Sequence, residues 1–193
     1  VYDDMGVLYL DDKGQIKSSG TEIGAFVRLD DLDAGYSFKE LDRSVFMNPD
    51  KVNARIVIPI TDYKDVVAPH EVDLFLYANN YEEGGEALSF FDDVDSALKV
   101  FRAGNRMSKG TTTEYGLVGS FFANPFGPVQ RQEQTEILLH DYFNRMFKQG
   151  IKVGQLRTRL GIKGYEHRGP QEAATEILKY ITGETELKQL EEE

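Results

Sequence analysis

VDLFLYA (72–78) and EYGLVGSFFA (114–123) are two apolar strand candidates, and each is followed by a loop and an amphipathic stretch with helical spacing. That order is the rhythm of an α/β domain. An open α/β sheet presents its chemistry in the loops at the carboxyl ends of its strands, which here are residues 79–86 and 124–130. Asn79, Asn80, Glu82 and Glu83 are the ligand-loop candidates of the first. Neither loop holds a nucleophile of the usual kind.

Composition narrows the chemistry further. The chain has 193 residues, enough for one domain with a real core, no cysteine and three histidines. Thiolate metal sites, iron–sulfur clusters, cysteine nucleophiles and disulfides are therefore out. With 33 acidic against 22 basic residues the net charge is −11, which argues against nucleic acid and anionic membranes as partners and favours basic ones. No apolar run approaches the roughly 20 residues of a membrane helix. The chain begins at Val1 without a methionine, as a processed product or a fragment would. The compartment stays open, with a cytoplasmic location favoured.

Working outward, GVLYLDDKGQIK alternates around Asp11-Asp12-Lys13-Gly14, good turn chemistry, so Val7–Leu10 and Gln15–Ser18 are expected to pair as an amino-terminal β-hairpin. GAFVRLD is a third strand. Ser37 and Glu40 form a capping box for a short helix ending near Phe46. ARIVIPI is a strand whose Pro59 suggests an edge, and the short gap to VDLFLYA makes the two antiparallel or non-adjacent. A helix from Asp92 turns Val94, Ala97, Leu98 and Phe101 inward and stops at Gly104. The next begins near Gln132, with Leu139, Phe143, Met146 and Phe147 in one stripe joined by Leu138 and Tyr142, and ends at Gly150. VGQLRTRL reads as a shorter helical piece. A final helix from Pro170 carries Ala173, Ala174, Ile177, Leu178 and Ile181, before an acidic tail over 184–193.

From Val72 onward this order resembles the carboxyl-terminal half of the caspase-like CHAT domain, a relative of the gingipains. In that family a strand ends in Leu-Ser-Ala-Cys, followed by an acidic glycine loop, a helix ending in Ala-Gly, a strand leading to a proline loop, and a helix with a Phe-Tyr pair before a glycine. Here Leu76-Tyr77-Ala78-Asn79 stands at the cysteine motif, followed by Glu82-Glu83-Gly84-Gly85, Ala103-Gly104, Asn124-Pro125 and Asp141-Tyr142-Phe143 through Gly150. The resemblance implies that Asn79 ends a central parallel strand with Ser120–Ala123 on its neighbour. It also implies an inactive relative or a fragment lacking its catalytic half, because an amide cannot supply the thiolate nucleophile, and His70 lies in a loop rather than at the end of the preceding strand.

Other constellations have two readings each. Asp31 and Asp33 open a D-x-D-x-G pattern that suits a Ca²⁺ loop, or form a solvated turn capped at Ser37. Glu82 and Glu83 with Asp92, Asp93 and Asp95 could hold Mg²⁺, while capping accounts for the aspartates. Lys109-Gly110-Thr111-Thr112-Thr113 has the ingredients of a phosphate loop without Walker spacing. His70, His140 and His167 lack zinc spacing. Arg157, Arg159, Lys163 and Arg168 around Tyr165 form the one basic patch, and Phe121, Phe122 and Phe126 an aromatic cluster; both are candidate partner surfaces.

The expected architecture is thus a single α/β domain over 1–183, with a β-rich part at 1–35, an α/β part at 50–183 and a mixed, largely parallel caspase-like sheet flanked by helices. The expected function is a non-catalytic scaffold that binds a protein partner or forms a homo-oligomer through Phe122, Phe126, Arg157, Arg159, Tyr165 and Arg168, with no cofactor. The rivals are a carboxylate-based hydrolase using Ca²⁺ or Mg²⁺, and an acidic structural protein of a viral-type symmetric assembly.

Overall fold

A computed structural model describes residues 5–22, 25–28, 55–58, 61–109, 115–123 and 128–183. The chain divides into two compact units, Val1–Val72 and Asp73–Glu193. The architecture is mixed α/β. The helix expected near Ser37–Phe46 and the residues Asp31, Asp33, Pro59, Phe126 and 111–113 lie outside the described residues.

In the first unit β1 (Gly6–Leu10) pairs antiparallel with β2 (Ile16–Gly20), Leu10 facing Ile16. The Asp11 carboxylate accepts from the backbone N–H groups of Lys13 and Gln15, which closes the turn between them. Alternation along β2 buries Ile16, Ser18 and Gly20. β3 (Ala25–Arg28) pairs antiparallel with β4 (Arg55–Ile58). After the short α1 (Tyr63–Val66), β5 (His70–Glu71) joins the free side of β2, where Lys17 pairs with Glu71.

The second unit is built on three strands in the order β6 (Leu74–Asn79), β10 (Lys152–Arg157) and β7 (Leu88–Phe90). β10 runs parallel to β6 and antiparallel to β7. β8 (Asn105–Lys109) and β9 (Tyr115–Gly119) form a separate antiparallel ladder. Around them lie α2 (Val94–Ala103), α3 (Gln132–Gln149) and α4 (Arg168–Thr182).

The three-stranded sheet is covered on both faces. Phe75 and Tyr77 point to one face, where Phe101 of α2 stacks on Phe75 with ring centroids 5.2 Å apart and meets Tyr77 edge-on at 5.3 Å. Phe143 of α3 closes this cluster at 5.0 Å from Phe101. On the other face Gly154 lies between Leu76 and Phe90, and Phe90 packs on Tyr180 of α4 at 4.9 Å. A Cβ on Gly154 would collide with the Ser89 carbonyl and come within 2.9 Å of the Phe90 ring, so only glycine lets the three strands close up there.

Several expectations are corrected. VGQLRTRL is not helical: it supplies the central strand, and because both sides are covered Val153 and Gly154 are buried in succession and no period-2 signal appears. Pairing is mostly antiparallel, with β6–β10 the one parallel ladder among the described residues, so the sheet is mixed rather than largely parallel. β6 lies at a sheet edge among those residues, not at the centre. Ser120–Ala123 is not on its neighbour: the strand stops at Gly119 and Phe121–Ala123 forms a 3₁₀ turn in which Phe122 takes a φ of 56°. β7 and β8 had no reading as strands. Leu138 on α3, and Ala174, Leu178 and Ile181 on α4, are exposed, because α4 docks through Gly169, Ala173 and Tyr180 instead.

Replacing Gly154 by Ala is expected to destabilise the unit by about 2 kcal/mol or more, since the new methyl must displace backbone as well as side chains; urea melts measure it. Burial pushes the Tyr77 hydroxyl up to about 12, from an ordinary 10.0. The unfolded chain releases this proton first, so the stability present below about pH 10 is lost as pH climbs toward about 12. In Tyr77→Phe the melting curves are expected to lose that part of their alkaline slope.

Candidate functional site

Parallel pairing sets Asn79 beside Arg157, so β6 and β10 end together and the segments that leave them, 79–86 and 158–167, share one end of the sheet. This is where an α/β sheet carries its ligands. The two segments are sewn to each other by backbone: Thr158 N–H donates to the Asn79 carbonyl at 2.9 Å and Gly161 N–H to the Asn80 carbonyl at 2.9 Å.

Asn79 is fully buried. Its Oδ1 accepts from the backbone N–H groups of Tyr81 and Glu82, both at 3.1 Å, and its Nδ2 donates to Gln155 Oε1 at 3.1 Å. The side chain thereby caps the end of its own strand and turns the loop. Asn80 spans the backbone of Met107, donating to its carbonyl at 2.9 Å and accepting from its N–H at 2.8 Å. These two amides, candidates for ligand contact on sequence grounds, hold the loop to β10 and β8.

The acidic residues of the loop meet the basic segment. Arg157 pairs through Nε with Glu82 at 3.1 Å, and its Nη1 donates to the Glu86 carbonyl and to Ser89 Oγ. The guanidinium passes 3.2 Å from where a Cβ on Gly85 would stand, and Gly85 adopts a φ of 90° at that crossing. Arg159 is buried and uses all three of its nitrogens, on the Glu83 carbonyl at 2.8 Å, the Gly85 carbonyl at 2.8 Å and the Glu172 carboxylate at 2.9 Å. Its backbone is held at a φ of 52°, an uncommon value for a residue with a Cβ. Tyr165 donates to the Glu83 carboxylate at 3.2 Å, with the Arg159 and Arg168 guanidiniums each 5.7 Å from its ring centre.

The patch, a candidate partner surface on sequence grounds, is in part a clasp on the acidic loop, made by Arg157, Arg159 and Tyr165. Lys163 and Arg168 are the exceptions: Lys163 is exposed, and Arg168 is 70 % exposed and bonded through Nε to Glu172 of α4. Phe122 is half-buried with its ring 6.3 Å from Phe101, which makes it core rather than partner surface. Gln155, Ser89 and Glu172 had escaped sequence reasoning; only the Arg168–Glu172 spacing of four on a helix gave a signal. Among the described residues no group of three or more His, Asp or Glu side chains gathers as for a metal ion, and no helix is long and apolar enough to cross a membrane.

A concavity lies beside this clasp. A cleft of about 1080 Å³ runs between β7 and α4, with Leu88, Ser89 and Phe90 on one side and Glu172, Glu176, Lys179 and Tyr180 on the other.

Arg159→Lys is expected to cost about 3 kcal/mol, because an ammonium cannot bridge two carbonyls and a carboxylate and leaves buried acceptors unpaired; a lowered urea midpoint measures it. No protein-family model, no curated protein and no solved structure matches this chain.

Proposed function

We propose that the chain is a non-catalytic protein-binding domain, a scaffold part of a larger assembly. The observation that carries this reading is the commitment of the 79–86 loop. Asn79, Asn80, Glu82 and Glu83, the groups best placed by topology to touch a substrate, spend their hydrogen bonds on the fold. A carboxylate in a 3.1 Å ion pair with Arg157 is a poor ligand for Mg²⁺ or Ca²⁺, because the guanidinium repels the incoming ion. The cleft between β7 and α4 then stands as the concave surface suited to binding.

The sheet order, with β6 at an edge among the described residues, lends no support to a caspase-like relationship. The rival, a carboxylate-based hydrolase, makes a different forecast. Thermal melts of the full chain with Ca²⁺, Mg²⁺ or Mn²⁺ at about 100 times a plausible Kd are expected to show no rise in Tm, whereas a ligand that binds only the folded state adds about 2.7 kcal/mol there. A rise abolished by Glu82→Gln would replace the scaffold reading with the metal-dependent one.

A further inference from the structure

β7 is an edge of its sheet among the described residues. Its backbone faces can be assigned from the ladder. Arg157 N–H donates to the Ala87 carbonyl at 2.7 Å and Phe91 N–H to the Val153 carbonyl at 2.9 Å, so the odd-numbered residues spend their backbone groups on β10. In an antiparallel pair the alternate residues point theirs the other way. The N–H and C=O groups of Leu88 and Phe90 are thus directed away from β10, and both residues line the cleft. Only another backbone offers donors and acceptors at that repeat.

The side walls narrow the choice of occupant. Phe90 and Tyr180 form an apolar floor, with Phe90 partly exposed. Of the three carboxylates lining the cleft, Glu176 bonds Lys179, Glu172 bonds both Arg159 and Arg168, and Glu86 sits exposed on the loop before β7. Arg159 is buried and already bonds through each of its three nitrogens. Arg168 engages Glu172 through Nε alone, and the two terminal nitrogens of its exposed guanidinium are the fork that takes a carboxylate in bidentate fashion. Two copies of a chain carrying −11 repel each other, which favours a different protein over self-pairing.

We infer that the cleft between β7 and α4 takes an extended segment of a partner protein as a fourth strand along β7, with an apolar side chain on Phe90 and Tyr180 and a carboxylate on Arg168. This rests on the protein-binding reading above and names its site and the form of its partner. The apolar contact and the strand pairing supply affinity, and the Arg168 fork supplies selection.

The test uses the full chain and a dye-labelled, end-blocked peptide, Thr-Leu-Thr-Leu-Thr-Leu-Asp, titrated by fluorescence anisotropy. Because a strand pairs through one edge, N-methylation of alternate residues in one phase is expected to weaken binding by about tenfold or more, and methylation in the other phase to leave it nearly unchanged. Leu88→Pro, which removes an outward N–H and no ladder bond, is expected to weaken binding to the same degree while its melt stays close to the parent's. Arg168→Gln is expected to weaken the peptide ending in aspartate and not its asparagine counterpart. Slowed hydrogen exchange on peptide binding should fall on the amides of Leu88 and Phe90.

Equal effects of the two methylation phases, protection elsewhere, or no binding up to about 1 mM peptide would overturn the inference. A dimer of the chain alone in light scattering, dissolved by Leu88→Pro, would overturn it too, by giving the strand to a second copy. A metal-dependent Tm rise lost in Glu82→Gln bears on the scaffold reading alone, so the two failures are told apart.

Discussion

The parallel ladder between β6 and β10 is the constraint on which the second unit depends. Antiparallel neighbours can be joined by a tight turn, but a parallel pair obliges the chain to leave one end of the sheet and return to the other. Everything from 80 to 151 is that journey, and it can be stable only if the elements along the way bury themselves on the strands they bypass. Phe101 is where this happens. Its ring meets those of Phe75, Tyr77, Phe91, Phe122 and Phe143, so α2, α3 and the turn after β9 are gathered on one point of the sheet. Aromatic contacts of this kind add roughly 0.5 to 1.5 kcal/mol each to the area they bury.

The same ladder decides the electrostatics of the sheet's carboxyl end. By ending together, β6 and β10 bring an acidic loop against a basic one, and the charges neutralise in place. Among the described residues only Arg157–Glu82 is an ion pair between the two segments, and its carboxylate is partly exposed; the buried partner is Arg159, which bonds loop carbonyls and would leave them unpaired if it were lost. These bonds tie the loop to β10 and to the segment after it at Glu82, Glu83 and Gly85. A loop tied in this way fixes where β7 starts, and so sets the wall of the neighbouring cleft.

Local punctuation was legible in the sequence. Asp93 caps α2 through Ser96 N–H, and Gly104 and Gly150 end α2 and α3 in the left-handed conformation, because these signals act within a few residues of where they are written. The apolar faces around Phe101 and Phe143 were legible for the same reason. Val153, Leu156 and Leu160 could not be told from a helical stripe, since a strand covered on both sides has no alternation to show. β7 is only three residues long and carries no pattern of its own. Arg157 and Arg159 looked like a surface patch because Lys163 and Arg168 are their neighbours in sequence, while Glu82 and Glu83, their partners in space, lie more than seventy residues earlier.

The central position of β10 has a consequence for how the protein is made. β6 and β7 do not pair with each other, and the strand that joins them is synthesised after both. On a growing chain these two segments emerge with open edges and wait, apolar and unpaired, until residues 152–157 arrive to fill the gap between them. Folding of this unit is therefore close to all-or-none and late, and the nascent chain is most exposed to aggregation or to a chaperone's grip in the interval before its last strand is made.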